Sequence, residues 1–111
     1  MSFDPKIEND IRVIIKGIRQ VMPVTAIYLF GSYAYGTPGD QSDLDIYIVT
    51  PDKTKRKIEH LKAARRSFYR HVSSPVDLLV NYQDEFDNRS RNHFTLEYEV
   101  ANRGVNLIAF Q

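Results

Sequence analysis

The stretch GSYAYGTPGDQSDLDIYIV, from Gly31 to Val49, decides the fold of this chain. It follows VTAIYLF (24–30), a β-branched and aromatic run that predicts a buried strand ending at the glycine. SYAY favours a short helical turn, and GTPGDQS has the composition of a loop. LDIYIV (44–49) predicts a second strand. The stretch therefore predicts two strands joined by a bend, a helical turn and a loop.

Two aspartates at the start of the second strand are expected to share one side of it. Side chains alternate along a strand, so residues two positions apart project together, about 6.5–7 Å from each other. Asp43 and Asp45 fit this spacing, while Leu44 and Ile46 point to the opposite face. Ionised carboxylates side by side are costly without a cation, and Mg²⁺ prefers such oxygen ligands. Asp-x-Asp also occurs at ordinary acidic turns, and that interpretation stays open.

A third aspartate lies in a later apolar run. Asp77 is the second residue of VDLLVN (76–81), which predicts a third strand. Three aspartates on strands are able to hold two metal ions, an arrangement that suits in-line displacement at phosphorus. The alternative is an acid at a strand edge that pairs with an arginine.

The bend at Gly31-Ser32 is a candidate phosphate site. Free backbone N–H groups at a helix start attract phosphate, and glycine lets a ligand approach the main chain. The hydroxyl of Ser32 adds a donor, and the neighbouring Tyr33 and Tyr35 are expected either to pack or to border the bound ligand. No Walker-type Gly-Lys-Ser/Thr and no Gly-x-Gly-x-x-Gly occurs in the sequence. Without further support, Gly-Ser is simply a turn.

Working outward, the other segments alternate between helix and strand. A first helix is predicted to begin at the N-cap Asp4 and to end before Pro23. Gly104 is expected to be a left-handed cap after the last helix. The remaining predicted elements are a helix at 55–72, helical composition from 84 with a break near 90, a helix at 92–103 and a strand at 105–110. The order predicts an α/β fold, a sheet with helices packed on it, in one domain over residues 1–111.

Composition excludes several classes of protein. With 42% hydrophobic and 26% charged residues among 111, the chain is globular rather than disordered. It has no cysteine, so disulfides and thiolate metal sites are excluded. No apolar run approaches the roughly 20 residues of a membrane span, and the first ten residues do not resemble a secretory signal. We expect a cytoplasmic protein. Its histidines lack metal-ligand spacing and are expected to be exposed or at helix ends, namely His60, His71 and His93.

The charges are unevenly distributed. A basic segment from Lys53 to Arg70 contains eight basic residues and the single acid Glu59. Four acids precede it: Asp40, Asp43, Asp45 and Asp52. An acidic pocket beside a basic helix suits divalent cations and a polyanion, although a solvated helix face is the simpler explanation of the basic segment alone.

Taken together, Gly-Ser, ten intervening residues and Asp-x-Asp, with a strand on either side and a third acid on a later strand, form a specific pattern. This pattern resembles the DNA polymerase β-like nucleotidyltransferase superfamily, and more closely its small minimal nucleotidyltransferase (MNT) proteins. The resemblance covers nearly the whole chain, because the ending EVANRGVNLI (99–108) is similar to the segment that closes many of them. It implies a single-domain nucleotidyltransferase fold.

The resemblance implies a role for each candidate residue. Gly31 and Ser32 would bind the nucleoside triphosphate, and Asp43 and Asp45 would coordinate two Mg²⁺ ions. Asp77 would complete the second metal site and help to deprotonate the attacking hydroxyl. The implied reaction transfers AMP from ATP to an acceptor hydroxyl and releases pyrophosphate.

The resemblance also implies a partner. MNT proteins are similar to antitoxins that pair with helical HEPN toxins and adenylylate a tyrosine on the toxin. Larger relatives carry an additional acceptor-binding domain, for which 111 residues leave no room, so we expect another chain to bring the acceptor. Membrane association and direct nucleic-acid binding are not expected. Two alternatives remain: an aminoglycoside-like nucleotidyltransferase that acts on a small molecule, and a non-catalytic module that masks a toxin.

Overall fold

A mixed four-stranded sheet with helices on both faces forms the body of the protein in the computed structural model, which describes residues 3–39 and 42–110. This architecture confirms the predicted α/β fold class. The elements are α1 (Pro5–Val21), β1 (Ala26–Phe30), α2 (Ser32–Tyr35), β2 (Leu44–Thr50), α3 (Lys57–Phe68), β3 (Val76–Tyr82), α4 (Gln83–Ser90), α5 (Leu96–Arg103) and β4 (Val105–Asn106), followed by a 3₁₀ turn (Leu107–Phe110).

The strand order is β3-β2-β1-β4. Strand β1 runs antiparallel to both β2 and β4, whereas β2 and β3 are parallel and connected through α3. The register places Phe30, Asp45 and Asp77 in one row across the three strands β1, β2 and β3. Two carboxylates of different strands are thereby brought next to each other.

One face of the sheet carries the main hydrophobic core. Helix α1 begins at the N-cap Asp4, whose carboxylate accepts a hydrogen bond of 2.8 Å from the Lys6 amide, and ends at Val21 before Pro23 as predicted. Its apolar stripe and Phe68 of α3 cover this face, and Ile46 is fully buried beneath them. Alternation along β2 therefore sends its apolar residues into this core and Asp45 to the other face.

The second face is covered in part by α4 and α5. Phe86 of α4 stacks on Tyr28 with ring centroids 5.5 Å apart and meets Tyr47 edge-on at 5.2 Å. Val100 of α5 is fully buried in the same cluster. These contacts cover the middle of the strands and leave the row that contains Asp45 more accessible.

Ion pairs fasten α4 to the basic segment. Lys53 reaches the Asp84 carboxylate at 2.6 Å, and Lys57 reaches Glu85 at 2.5 Å. Both pairs are solvent-exposed, so each contributes little to stability. Part of the basic segment thus serves to position a neighbouring helix.

The structure corrects two predictions about single residues. Gly104 has φ −72° and is not a left-handed cap; a Cβ there would meet the Val100 carbonyl oxygen at 2.5 Å and that of Leu29 at 3.2 Å. Glycine is needed because two backbones approach closely. His60 is buried rather than exposed, and its Nε2 lies 2.9 Å from the Asp52 carbonyl oxygen.

Several element boundaries also differ from prediction. The long helix predicted at 55–72 is shorter, because the chain leaves it after Phe68 through a turn. The helix predicted from 92 begins at Leu96, where the Thr95 hydroxyl caps it by accepting from the Tyr98 amide. The last predicted strand is reduced to two residues, and a 3₁₀ turn replaces the rest. In residues 3–39 and 42–110, no helix has the length and apolar character needed to cross a membrane.

The close approach at Gly104 gives a stability prediction. Gly104→Ala should lower the free energy of unfolding by about 1–3 kcal/mol, because the added methyl group forces two carbonyl groups apart. Gly39→Ala is the matched control, since a Cβ at Gly39 meets only the Ser42 hydroxyl at 3.9 Å. Urea titration measures both variants, and equal stabilities would contradict the close-packing explanation.

Candidate active site

The structure brings together the candidate residues of β2 and β3. Asp45 and Asp77 are register partners on parallel strands, which lie about 4.8 Å apart in any sheet. Asp43 precedes β2 by one residue and is exposed, as is Asp77, whereas Asp45 is half-buried. Asp40, another acid of this region, lies outside the described residues. The side chains of Asp45 and Asp77 lie on the same face of the sheet, in a part that α4 and α5 leave accessible.

Gly31 closes the site on the β1 side. It follows Phe30, the antiparallel register partner of Asp45. Its φ of 75° favours glycine, and a Cβ at this position would collide with the Asp45 carboxylate. Only a residue without a side chain allows the bend to lie this close to Asp45. The bend and the carboxylate therefore form one continuous surface.

Ser32 begins the short helix α2 directly after this bend. As in any first helical turn, the backbone N–H groups of residues 32–34 have no intrahelical acceptor. The amide of Tyr35 is the first to bond back, to the Gly31 carbonyl oxygen at 3.0 Å. These backbone N–H groups lie next to the row that contains Asp45 and Asp77, called the acidic row below. They are suited to an anion that also binds a cation, such as a metal-complexed phosphate.

The carboxylates repel each other. Burial raises the pKa of Asp45, and the negative charges of Asp77 and Asp43 raise it further. Among the described residues, none of the three forms an ion pair with a lysine, arginine or histidine. This outcome disfavours the alternative in which Asp77 pairs with an arginine. A cation that binds between them would relieve the repulsion.

The donor set fits a hard divalent cation, although the side chains are not pre-arranged around one. In the ranges 3–39 and 42–110, no group of three acidic or histidine side chains is close enough to form a ready ligand cluster. Asp43 and Asp77 are exposed, so their side chains are able to rotate. Oxygen ligands from two carboxylates, completed by water and substrate phosphate, are the usual environment of Mg²⁺.

A polar network lies next to the site, further along β2 and β3 toward their C-terminal ends. The Tyr47 hydroxyl donates to Glu97 Oε2 at 2.7 Å and accepts from Asn81 Nδ2 at 3.2 Å. Arg89 Nε donates to Glu97 Oε1 at 2.7 Å. Burial raises the pKa of Tyr47, and its hydrogen bond to Glu97 raises it further, so the hydroxyl keeps its proton. The network forms the floor of a cleft of about 550 Å³.

Sequence reasoning did not single out Glu97 or Arg103. The Arg103 guanidinium lies 4.0 Å from the centre of the Tyr35 ring. Tyr35 is one helical turn after the Gly31 bend. Burial raises the pKa of Tyr35, and nearby Glu99 adds to the shift. Arg103 thus brings a positive charge close to α2. This contact depends on how α5 packs, so no local sequence pattern predicts it.

A mixed sheet, a glycine-serine bend and strand-borne aspartates define a nucleotidyltransferase fold. The family model for a nucleotidyltransferase domain matches residues 11–102, and the chain belongs to this family. The match includes Gly31, Ser32, Asp43, Asp45 and Asp77. No functionally curated protein shows a significant sequence match.

Solved structures agree with this assignment. A Sulfolobus solfataricus protein provisionally described as a nucleotidyltransferase is 23% identical, with a TM-score of 0.58 over 95% of this chain and 87% of its own, and supports the fold. A toxin–antitoxin structure with AMP-PNP is 28% identical (TM-score 0.55), and a toxin–antitoxin MntA-HpeT mutant is 26% identical (TM-score 0.54). Each of these two matches covers 87% of this chain and 71% of the other.

The opposed carboxylates give a prediction that needs no substrate. Asp77→Asn should raise the melting temperature in metal-free buffer at neutral pH by up to about 4 °C, because like charges on facing strand positions cost up to roughly 1 kcal/mol. A raised folded-state pKa means that ionised Asp45 disfavours the folded state. The gain should therefore disappear as the pH falls and Asp45 becomes protonated.

Asp84→Asn is the control for this experiment. Asp84 is exposed, and its hydrogen bond with Lys53 lowers the pKa of its carboxyl, so its replacement relieves no repulsion. Calorimetry across the acidic to neutral range measures both variants. A melting temperature of Asp77→Asn no higher than that of Asp84→Asn at neutral pH would argue against electrostatic coupling in the row.

Proposed function

We propose that this protein is a Mg²⁺-dependent nucleotidyltransferase that moves AMP from ATP to a tyrosine hydroxyl of a partner HEPN-type toxin in the cytoplasm, and so acts as its antitoxin. The observation that carries the proposal is the proximity of the Gly31 bend, directly after β1, to Asp45 on β2 and Asp77 on β3. A phosphate-binding bend and two facing carboxylates are the groups that this chemistry requires.

Gly31 and Ser32 hold the triphosphate in this proposal. The free N–H groups of the first turn of α2 donate to phosphate oxygens, and the Ser32 hydroxyl adds one donor. Gly31 lets the phosphates approach Asp45 without the obstruction of a side chain. The pyrophosphate leaving group is thereby held on the β1 side of the row.

Asp43 and Asp45 are the proposed ligands of both Mg²⁺ ions, and Asp77 completes the second site. When bound, Mg²⁺ neutralises negative charge on the phosphates and lowers the pKa of the acceptor hydroxyl. Asp77 lies on the opposite side of Asp45 from Gly31, so it faces an acceptor that approaches in line. Its carboxylate accepts the proton as the hydroxyl oxygen bonds to the α-phosphorus and the bond to pyrophosphate breaks.

The similarity to toxin–antitoxin structures supports the partner. One of those structures contains AMP-PNP, and the MntA-HpeT mutant has two aspartates, spaced by one residue, replaced by glutamate. The same spacing separates Asp43 from Asp45. Both comparisons favour a nucleotide-dependent antitoxin over a small-molecule nucleotidyltransferase or a masking module.

Labelled ATP tests the proposed reaction. Incubation with ATP, Mg²⁺ and the product of the adjacent gene should add AMP to a tyrosine of that protein, detected by mass spectrometry. The double variant Asp43→Asn, Asp45→Asn should lose transfer by at least about 100-fold while remaining folded, because the metal ligands are gone. Mg²⁺ should also fail to raise its melting temperature.

Asp84→Asn again serves as the control and should retain transfer. Undiminished transfer by the double variant would refute the metal assignment. AMP on a small molecule instead of a polypeptide would support the aminoglycoside-like alternative. ATP binding that does not depend on Mg²⁺, without any transfer, would favour the masking module.

The proposed phosphate contact of Ser32 is tested by binding. Ser32→Ala should weaken ATP affinity by about 5- to 10-fold, the value of one hydrogen bond, because the backbone donors remain. Ser90→Ala, at the end of α4, should leave the affinity unchanged. Calorimetric titration with ATP and Mg²⁺ measures both variants, and an unaltered affinity of Ser32→Ala would place the triphosphate elsewhere.

A further inference from the structure

Strand β3, which carries Asp77, is one of the two outer strands of the described sheet. The Leu44 amide donates to the Pro75 carbonyl oxygen at 2.9 Å, so the backbone groups of 75, 77, 79 and 81 point toward β2. The backbone N–H and C=O groups of Leu78 and Val80 consequently point away from the sheet. No backbone partner for them occurs in the described part of the chain.

The unpaired stretch has defined ends. At its start, Arg65 donates to the Val76 carbonyl oxygen at 3.4 Å. At its end, the Tyr82 amide is satisfied by the Asn81 side chain at 2.8 Å. Between these points, Leu78 and Val80 offer two N–H and two C=O groups, about 6.5–7 Å apart along the strand. This length matches a short added strand.

Clefts of different character flank the edge. On the α3 side lies an apolar cleft of about 300 Å³ that Ile58, Leu61 and Val80 help to line, and Ile58 is 44% exposed. On the Asp77 side lies the polar cleft of about 550 Å³, bordered by Asn88 and Arg89. Side chains of an added strand alternate between the two faces, so successive residues would enter different clefts.

We infer that an extended segment of the acceptor protein adds to the free edge of β3 as a fifth strand and thereby places its hydroxyl beside Asp77. The inference rests on the proposed function. An added strand lies about 4.8 Å from β3, so a side chain opposite Asp77 on the same face is within reach of its carboxylate. Backbone pairing supplies affinity, which explains how one small domain grips a polypeptide.

The two clefts specify the chemistry of the segment. Residues next to the modified one face α3, and the apolar cleft favours aliphatic side chains there. Residues two positions away share the face of Asp77 and enter the polar cleft, where Asn88 and the Arg89–Glu97 pair favour polar groups. The acceptor is therefore a hydroxyl residue with apolar neighbours on both sides, in an extended segment.

Val80→Pro tests the inference, because it removes an outward-pointing N–H that no described residue uses. Val80→Ala is the matched control, since it shortens the side chain and keeps the donor. With the acceptor protein identified by AMP labelling, Val80→Pro should lower kcat/KM for that protein at least about tenfold through KM. Val80→Ala measures the loss of the side chain alone, so kcat/KM of Val80→Pro should fall well below that of Val80→Ala, and both should keep the wild-type affinity for ATP.

Hydrogen exchange on the wild-type protein provides a second measurement that does not depend on folding of a variant. The amides of Leu78 and Val80 should become protected when the acceptor protein and a non-hydrolysable ATP analogue are added. Unchanged exchange at both amides, or equal transfer by Val80→Pro and Val80→Ala, would overturn the inference alone. Failure to label any polypeptide would overturn the proposed function first, and the inference with it.

Discussion

The structure depends on a register that places two carboxylates, Asp45 and Asp77, side by side on parallel strands. Such a pair is unfavourable without a cation, and the raised pKa of Asp45 is the consequence of burial and of its acidic neighbours. A sheet selected for stability alone would carry apolar or oppositely charged residues at these positions. A cation bound between the two carboxylates would remove this repulsion, and its removal would favour cation binding.

The rest of the fold holds this register in place. Helices α1 and α3 fix one face of the sheet through the main core, so β2 cannot slip by one residue without burying its acids. On the other face, Phe86, Tyr47 and the buried Glu97 anchor α4 and α5 beyond the acidic row. Neither helix covers the row completely, so Asp77 stays exposed for a substrate.

Local patterns predicted much of this arrangement. Alternation in LDIYIV correctly predicted β2 and its apolar face, and the apolar run VDLLVN correctly predicted β3. The Gly-Ser bend lies where a strand gives way to a short helix, as predicted. The catalytic and binding roles of the residues stay predictions. The pairing of β2 with β3 is a long-range event that no local pattern fixes, and the contacts of Glu97 and Arg103 depend on how α5 packs. The prediction for Gly104 was wrong because the residue is constrained by the nearby carbonyl groups of Val100 and of the distant Leu29, and not by a left-handed backbone.

Paramagnetic broadening tests most directly whether the bend and the acidic row form a single site. Substoichiometric Mn²⁺ with a non-hydrolysable ATP analogue, followed in amide NMR spectra, reports which residues lie near the bound ion. We predict that signals of Gly31, Ser32, Asp45 and Asp77 disappear together, and before those of the exposed acids Asp84 and Glu85 on α4. Broadening centred on α4, or at Asp45 without Asp77 and Gly31, would contradict it.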